Sequence, residues 1–166
     1  MVDNVTVRTG IEVVVTNAIR DKLAAADGID VVNSAEAADF YLLGNIVKYN
    51  DQFGPTTVVG NPTTSAAGGL GVGKIGAADI QVTLGLSVRL LVKLPDTGAA
   101  QRLLWNRKFE RSGTFASSTR FASVGNGIDA GSSSAMHINS SRELIQIRLL
   151  SDLLAQQILD QVAQDF

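Results

Sequence analysis

Between Ala78 and Leu94 every even-numbered residue is apolar: Ala78, Ile80, Val82, Leu84, Leu86, Val88, Leu90, Val92 and Leu94. The odd positions are Asp79, Gln81, Thr83, Gly85, Ser87, Arg89, Leu91 and Lys93, all polar or small except Leu91. Side chains on a strand point to alternate faces, so this pattern predicts a long β-strand with one face for a core and one for solvent. No helix keeps such a period. At about 3.3 Å per residue the strand would exceed about 50 Å if straight, which predicts a bend or bulge, with Gly85 as its place. A chain with this strand must build a sheet around it.

The other segments supply partners for that sheet. After a short polar stretch over 1–9, apolar Ile11, Val14, Val15, Ala18, Ile19 and Leu23 keep helical spacing, with Thr9 as a candidate cap. The run Glu12-Val13-Val14-Val15-Thr16 is β-prone, so spacing and propensity pull against each other there. Gly28 is placed to end the helix. Ile29–Val32 reads as a short strand, and 39–52 as a second one that is apolar on both faces in its first half, as a central strand would be. Pro95-Asp96-Thr97-Gly98 is a turn, since Pro presets one backbone angle and Gly accepts a positive one. The return through Leu103, Trp105, Arg107, Phe109, Arg111 and Phe115 is the antiparallel half of a hairpin. Ser140-Ser141-Arg142-Glu143 reads as a capping box opening the last helix. Leu144, Ile147, Leu150, Leu154, Ile158 and Val162 line one face of that helix. Ile145, Leu149 and Leu153 form a second apolar strip, which calls for a sandwich position or a partner.

These elements predict an α+β fold: a single four-stranded, mainly antiparallel sheet with two helices packed on one face. The 166 residues are the size of one domain, 1–166, with flexible loops at about 53–77 and 116–139, where Gly, Ser, Thr and Ala dominate. The net charge of −2 gives no whole-molecule attraction to nucleic acid, so any basic site is local. Cysteine is absent, which removes thiol nucleophiles and thiolate metal sites, and the single histidine removes His-cluster metal sites. No apolar run reaches the roughly 18 residues of a membrane span, so no transmembrane segment is expected.

The chemistry-bearing motifs are few. Gly68-Gly69-Leu70-Gly71-Val72-Gly73-Lys74 has the glycine and lysine spacing of a phosphate-binding loop. That loop needs a strand before it, a helix after it and a hydroxyl residue after the lysine. Here a Pro-Thr-Ser segment precedes, a strand follows and Ile75 takes the hydroxyl's place, so a plain glycine-rich connection is the reading. His137 stands in the Ser-rich segment with no Asp or nucleophile beside it. Asp27, Asp30, Glu36 and Asp39 fall at loop and turn positions, as solubilising and capping residues do. Trp105 and Phe109 read as core. The basic residues at the hairpin are different. Arg89 and Lys93 lie on the wet face of the long strand, and Arg102, Arg107, Lys108 and Arg111 on or beside the returning one. Strand pairing can gather several of these into a patch that grips phosphates; the other reading is a solvated face with Glu110 and Asp79 as neutralising neighbours.

Taken in order, the chain resembles the LptE-type lipopolysaccharide-assembly lipoproteins. The resemblance rests on Asn4-Val5-Thr6 leading to Gly10-Ile11-Glu12 and a helix ending in Lys22-Leu23. It continues with Val31-Val32 and Ala37-Ala38-Asp39-Phe40-Tyr41-Leu42-Leu43-Gly44-Asn45-Ile46, then the alternating strand, Thr97-Gly98 and Leu104-Trp105. It closes with Leu149-Leu150-Ser151-Asp152-Leu153-Leu154-Ala155-Gln156-Gln157-Ile158-Leu159. Many weak positions carry it, with no short diagnostic motif.

The resemblance implies a non-enzymatic protein without cofactors at the periplasmic side of the outer membrane. Its membrane attachment would be an N-terminal lipid that this chain lacks. It would plug the β-barrel of LptD and bind lipopolysaccharide on its way to the outer leaflet, with Arg89, Lys93, Arg107 and Arg111 as the matching basic positions. The Gly-rich segment 60–76 resembles instead the CsgG-like lipoproteins, a second family sharing the helix, the Ala-Asp strand opening and the Thr-Gly turn; it implies a secretion or periplasmic adaptor module.

Overall fold

The computed structural model describes residues 2–6, 8–53, 57–59, 75–94, 101–120 and 132–165. The elements in order are β1 (Val2–Asn4), α1 (Ile11–Ala24), β2 (Phe40–Phe53), β3 (Thr57–Val59), β4 (Ile75–Lys93), β5 (Gln101–Arg120) and α2 (Ser132–Gln164). The alternating stretch is β4, and it is the hub of the sheet. The strand order is β1-β2-β4-β3, and β5 also pairs with β4. The α+β class and the single, mainly antiparallel sheet with two helices on one face stand as read from the sequence.

By contacts the chain falls into two compact units. The first comprises Met1–Asn50, Thr83–Ser112 and Ile147–Phe166. From the sheet, Ile46, Leu84, Leu86, Val88 and Leu90 are buried, and so are Val15 and Ile19 of α1 and Ile147, Leu150, Leu154 and Ile158 of α2. Each such side chain contributes about 1.5–3 kcal/mol on leaving water. This burial decides the contest in α1, where β-branched Val13, Val14 and Val15 stay helical because Val15, with Ile11, Ala18 and Ile19, is buried. The second unit comprises Asp51–Val82 and Gly113–Gln146. In it β3 runs antiparallel to β4 through Thr57↔Ala77 to Val59↔Ile75, Ser117 is buried, and the Arg142 guanidinium donates to the Ala116 carbonyl at 2.6 Å.

Several sequence expectations are corrected. Ile29–Val32 is not a strand; Val31 and Val32 are 37% and 45% exposed. A strand has two hydrogen-bonding edges, and those of β2 are taken by β4 on one side and β1 on the other. The short polar start of the chain supplies β1, parallel to β2 with Val2↔Gly44 and Asn4↔Ile46. The expected capping box does not open the last helix. Helix α2 begins at Ser132, because no Gly or Pro interrupts the chain from there to Gln164. Ser140–Glu143 therefore sits inside it, where the backbone N–H groups already have helical partners. The expected loops shrink accordingly: 57–59 and 75–77 are strand, 116–120 belong to β5 and 132–139 to α2. The rest of those loops, the Pro95–Gly98 turn and Gly68–Lys74 lie outside the described residues.

Nor does Thr9 cap α1. The N-cap is Gly10, at a φ of 90° that favours glycine, and it makes no side-chain cap bond. Glu12 reaches back instead, its Oε1 and Oε2 accepting from the Gly10 N–H at 3.1 and 3.0 Å. The Asn4 amide also donates to Glu12 Oε2 at 2.9 Å, tying β1 to the start of α1. These contacts, that from Asn4 foremost, hold the Glu12 carboxyl below its usual range. At the other end α1 stops at Ala24 with Ala25 as its C-cap, and Gly28, expected to end the helix, takes its positive φ of 83° three residues later, in a turn where the Ile29 N–H donates to the Ala26 carbonyl at 3.5 Å.

Candidate ligand-binding face of the sheet

Contacts fix which side chains share the sheet face that the helices leave open. Thr83 Oγ1 and Ser112 Oγ are 2.9 Å apart, and Ser87 Oγ donates to Asn106 Oδ1 at 3.4 Å. Residue numbers rise on β4 as they fall on β5, so the two strands are antiparallel. Odd residues of β4 and even residues of β5 therefore share the open face, and Trp105 and Phe109 lie on the other, buried with their rings edge to face at 6.2 Å.

On the far side of β4, the Lys93 N–H donates to the Asp39 carbonyl at 2.9 Å, and Gly85 abuts Lys48. From Asp39 to Lys48 the chain advances nine residues, whereas from Lys93 back to Gly85 it retreats eight. The extra residue is a β-bulge, and it lies in β2 rather than at Gly85 as the sequence predicted. It also explains why Ile46 is buried and Lys48, two residues on, faces out. Before the bulge, Tyr41, Leu43 and Asn45 are on the open face. Leu43 comes beside Arg89 and Tyr41 beside Leu91; Leu104 and Arg102 of β5 lie on the same face toward this end of β4.

The open face is thus divided along the strands. Toward Thr83 its polar groups satisfy one another: Thr83 with Ser112, Ser87 with Asn106, and Lys48 Nζ with Glu110 Oε1 at 2.5 Å. Toward Leu91 it carries Leu43, Leu91 and Leu104, each partly or well exposed, among Arg89, Arg102 and Lys93. The Lys93 ammonium donates to the Glu36 carbonyl at 2.8 Å. Arg89 and Arg102 make no hydrogen bond or ion pair among the described residues.

The four basic residues singled out from sequence do not share this face. Arg89 and Lys93 are on it. Arg107 and Arg111 alternate with Trp105 and Phe109 and lie on the helix side of β5, where the Arg107 guanidinium donates to Gln161 of α2. Arg102 and Lys108 are the β5 cations that accompany Arg89. Counting in twos from Trp105 and Phe109, the large apolar anchors of β5, is the sequence signal that separates the two sets. Among the described residues no group of three or more His, Asp or Glu is placed to hold a metal, and no helix is long and apolar enough to cross a membrane.

No curated protein matches the chain significantly. Among solved structures it is similar to a minor lipoprotein from Acinetobacter baumannii, at 13% identity and a TM-score of 0.44, covering 99% of this chain and 89% of that one. It is similar to a candidate lipoprotein from Caulobacter crescentus CB15, at 11% identity and 0.46, covering 98% and 88%. A third is rare lipoprotein B from Shewanella oneidensis, at 13% identity and 0.40, covering 99% and 92%. The family model for LptE, lipopolysaccharide-assembly, matches residues 1–162. With nearly the whole chain matched, the protein belongs to the LptE lipopolysaccharide-assembly family.

Proposed function

We propose that the protein acts without catalysis in lipopolysaccharide delivery, seated in the outer-membrane β-barrel LptD, and that it binds lipopolysaccharide through the open face of its sheet. It would be held at the periplasmic side of the outer membrane by an N-terminal lipid. The observation that carries the binding reading is the Arg89 end of that face. Lipopolysaccharide joins phosphorylated sugars to acyl chains, so a surface for it needs cations for phosphate and apolar area beside them. Arg89 and Arg102 supply guanidiniums without a partner among the described residues, and Leu43, Leu91 and Leu104 supply the apolar area. Lys93 adds a third charge at the same end. The polar end of the face, from Ser87 to Thr83, suits the polar lumen of a barrel.

Arg107 and Arg111, the other two basic candidates, act in this reading only as secondary contacts from the helix side. The test is binding of purified lipopolysaccharide to the full chain and to Arg89→Glu, Arg102→Glu and Arg111→Glu. The first two lose about ten-fold or more in affinity, and the third loses less. Equal losses in all three would leave only a diffuse charge effect and sink the site. The barrel partnership is tested separately, by purifying the protein from its native envelope; absence of an LptD-type barrel from the preparation would remove that part.

A further inference from the structure

The stretch that joins α1 to β2 has no regular element at 33–38, and Asn33, Ser34, Ala35, Glu36 and Ala37 are all exposed. Burial does not hold this segment in place; polar contacts do. Tyr41 and Lys93 rise from the open face of the sheet on the neighbouring strands β2 and β4. The Tyr41 hydroxyl donates to the Ala35 carbonyl at 2.6 Å, and the Lys93 ammonium donates to the next carbonyl, that of Glu36, at 2.8 Å. The Ser34 hydroxyl accepts from the Glu36 N–H at 3.2 Å, which tightens the segment into a turn at these fastenings. Just before them the Asn33 side chain accepts from Arg20 of α1, in the helix layer. The chain over 33–38 thus passes from the helix side round the end of the sheet and comes to the open face.

We propose that residues 33–38 are a strap that forms the end wall of the lipopolysaccharide site, and that Tyr41 and Lys93 are its positioning residues. The inference rests on the lipid-binding reading of the open face. A flat sheet covers a ligand from one side only, whereas binding sites are concave. A strap fastened over Tyr41 and Lys93 turns the end of the face into a corner, next to the Arg89 charge and the apolar Leu43 and Leu91. The small side chains of Ser34, Ala35, Ala37 and Ala38 let its backbone lie close. Lys93 therefore has a different role from Arg89. Its charge stays at that end, but its ammonium is engaged by the strap, and its backbone N–H by the Asp39 carbonyl at the strap's foot. The Arg89 guanidinium has no partner among the described residues and is the group left for phosphate. A segment held by a few exposed hydrogen bonds loosens when one is lost, without unfolding the sheet.

The experiment uses the full chain and its Tyr41→Phe, Lys93→Met, Lys93→Gln and Arg89→Glu variants, each checked as folded by thermal unfolding. Cleavage after Glu36 by a glutamate-specific protease reads the fastening in the free protein, and purified lipopolysaccharide reads the site. Tyr41→Phe leaves every charge in place. It should be cut about three-fold or more faster and bind lipopolysaccharide about three- to ten-fold more weakly. Lys93→Met and Lys93→Gln lose the same charge, but glutamine keeps a donor for the Glu36 carbonyl. It should therefore bind about three-fold tighter than the methionine variant. Unchanged cleavage in Tyr41→Phe overturns the strap, and faster cleavage with unchanged affinity overturns its place in the site. Equal losses in the two Lys93 variants overturn the role given to Lys93. Arg89→Glu separates this inference from the one beneath it. If that variant binds as wild type does, the reading of the face falls and the wall with it. If it loses affinity while Tyr41→Phe keeps it, the wall alone falls.

Discussion

Lys48 of β2 and Glu110 of β5 form an ion pair, Nζ to Oε1 at 2.5 Å, although β4 runs between their strands. Adjacent strands lie about 4.8 Å apart, so the two side chains must bridge a whole strand. They meet because Gly85 leaves that stretch of β4 without a side chain. A Cβ built on Gly85 would stand 2.9 Å from the Lys48 Cβ, closer than real Cβ atoms approach.

Gly85→Ala is accordingly expected to destabilise the protein by about 1–3 kcal/mol, as overpacking does. Gly44→Ala is the control. Its nearest neighbour would be Val2 Cγ2 at 3.0 Å, the tip of a side chain on the short first strand. Relief there needs only a small shift of Val2, so the loss stays below about 1 kcal/mol. Urea unfolding of both variants checks this, and equal losses would show that the clash at Lys48 is not the cause.

The ion pair itself contributes little. The Lys48 and Glu110 side chains are 48% and 53% exposed, and pairs so open to water couple by about 0.2–1 kcal/mol. A double-mutant cycle with Lys48→Ala and Glu110→Ala should give a coupling in that range, shrinking as salt is added. A coupling above about 2 kcal/mol, unchanged by salt, would contradict it.

Glu12 makes the start of α1 sensitive to acid. Its carboxyl is held below its ordinary value of 4.5, first by the Asn4 amide and also by the backbone N–H of Gly10. A group whose folded value is depressed contributes stability above its unfolded value and loses it as pH falls through the folded one. Wild type should therefore be more stable than Glu12→Gln near neutrality, and the gap should close as pH drops below about 4.5. Unfolding midpoints of the two proteins from neutral to about pH 3 measure it; a gap that widens in acid would reverse the assignment.

The two sides of α2 should respond very unequally to the same substitution. Leu154 is fully buried, so Leu154→Ala costs about 2–5 kcal/mol through lost burial and a residual cavity. Leu149→Ala, on the exposed strip, should stay within about 0.5 kcal/mol. Thermal unfolding of dilute samples distinguishes them.

Much of the candidate face was readable before the structure, and the part that was missed has a physical reason. The alternation of β4 is uninterrupted, so it puts Arg89 and Lys93 on one face. Arg107 and Arg111 were grouped with them because a count of charges on β5 ignores phase; Trp105 and Phe109 carry the phase, and they put those arginines on the helix side. Leu43 and Leu104 had no signal at all. Their place at the Arg89 end of the face depends on strand pairing, which is a property of two strands together.

Sequence alone determined the faces of β4, the inward stripe of α2 from Ile147 onward (Leu144, expected on it, is 51% exposed) and the helical phase of α1, because each follows from a period of 2 or 3.6 within one segment. Tertiary structure decided which segments pair. The edge of β2 could take only one partner, and polar Val2–Asn4 took it in place of the more apolar Ile29–Val32. It also decided where the extra residue of the sheet sits: in β2, one strand away from the glycine that seemed to invite it. Periodicity is local and survives any fold, whereas lane, register and bulge are settled only when neighbouring strands compete for the same hydrogen bonds.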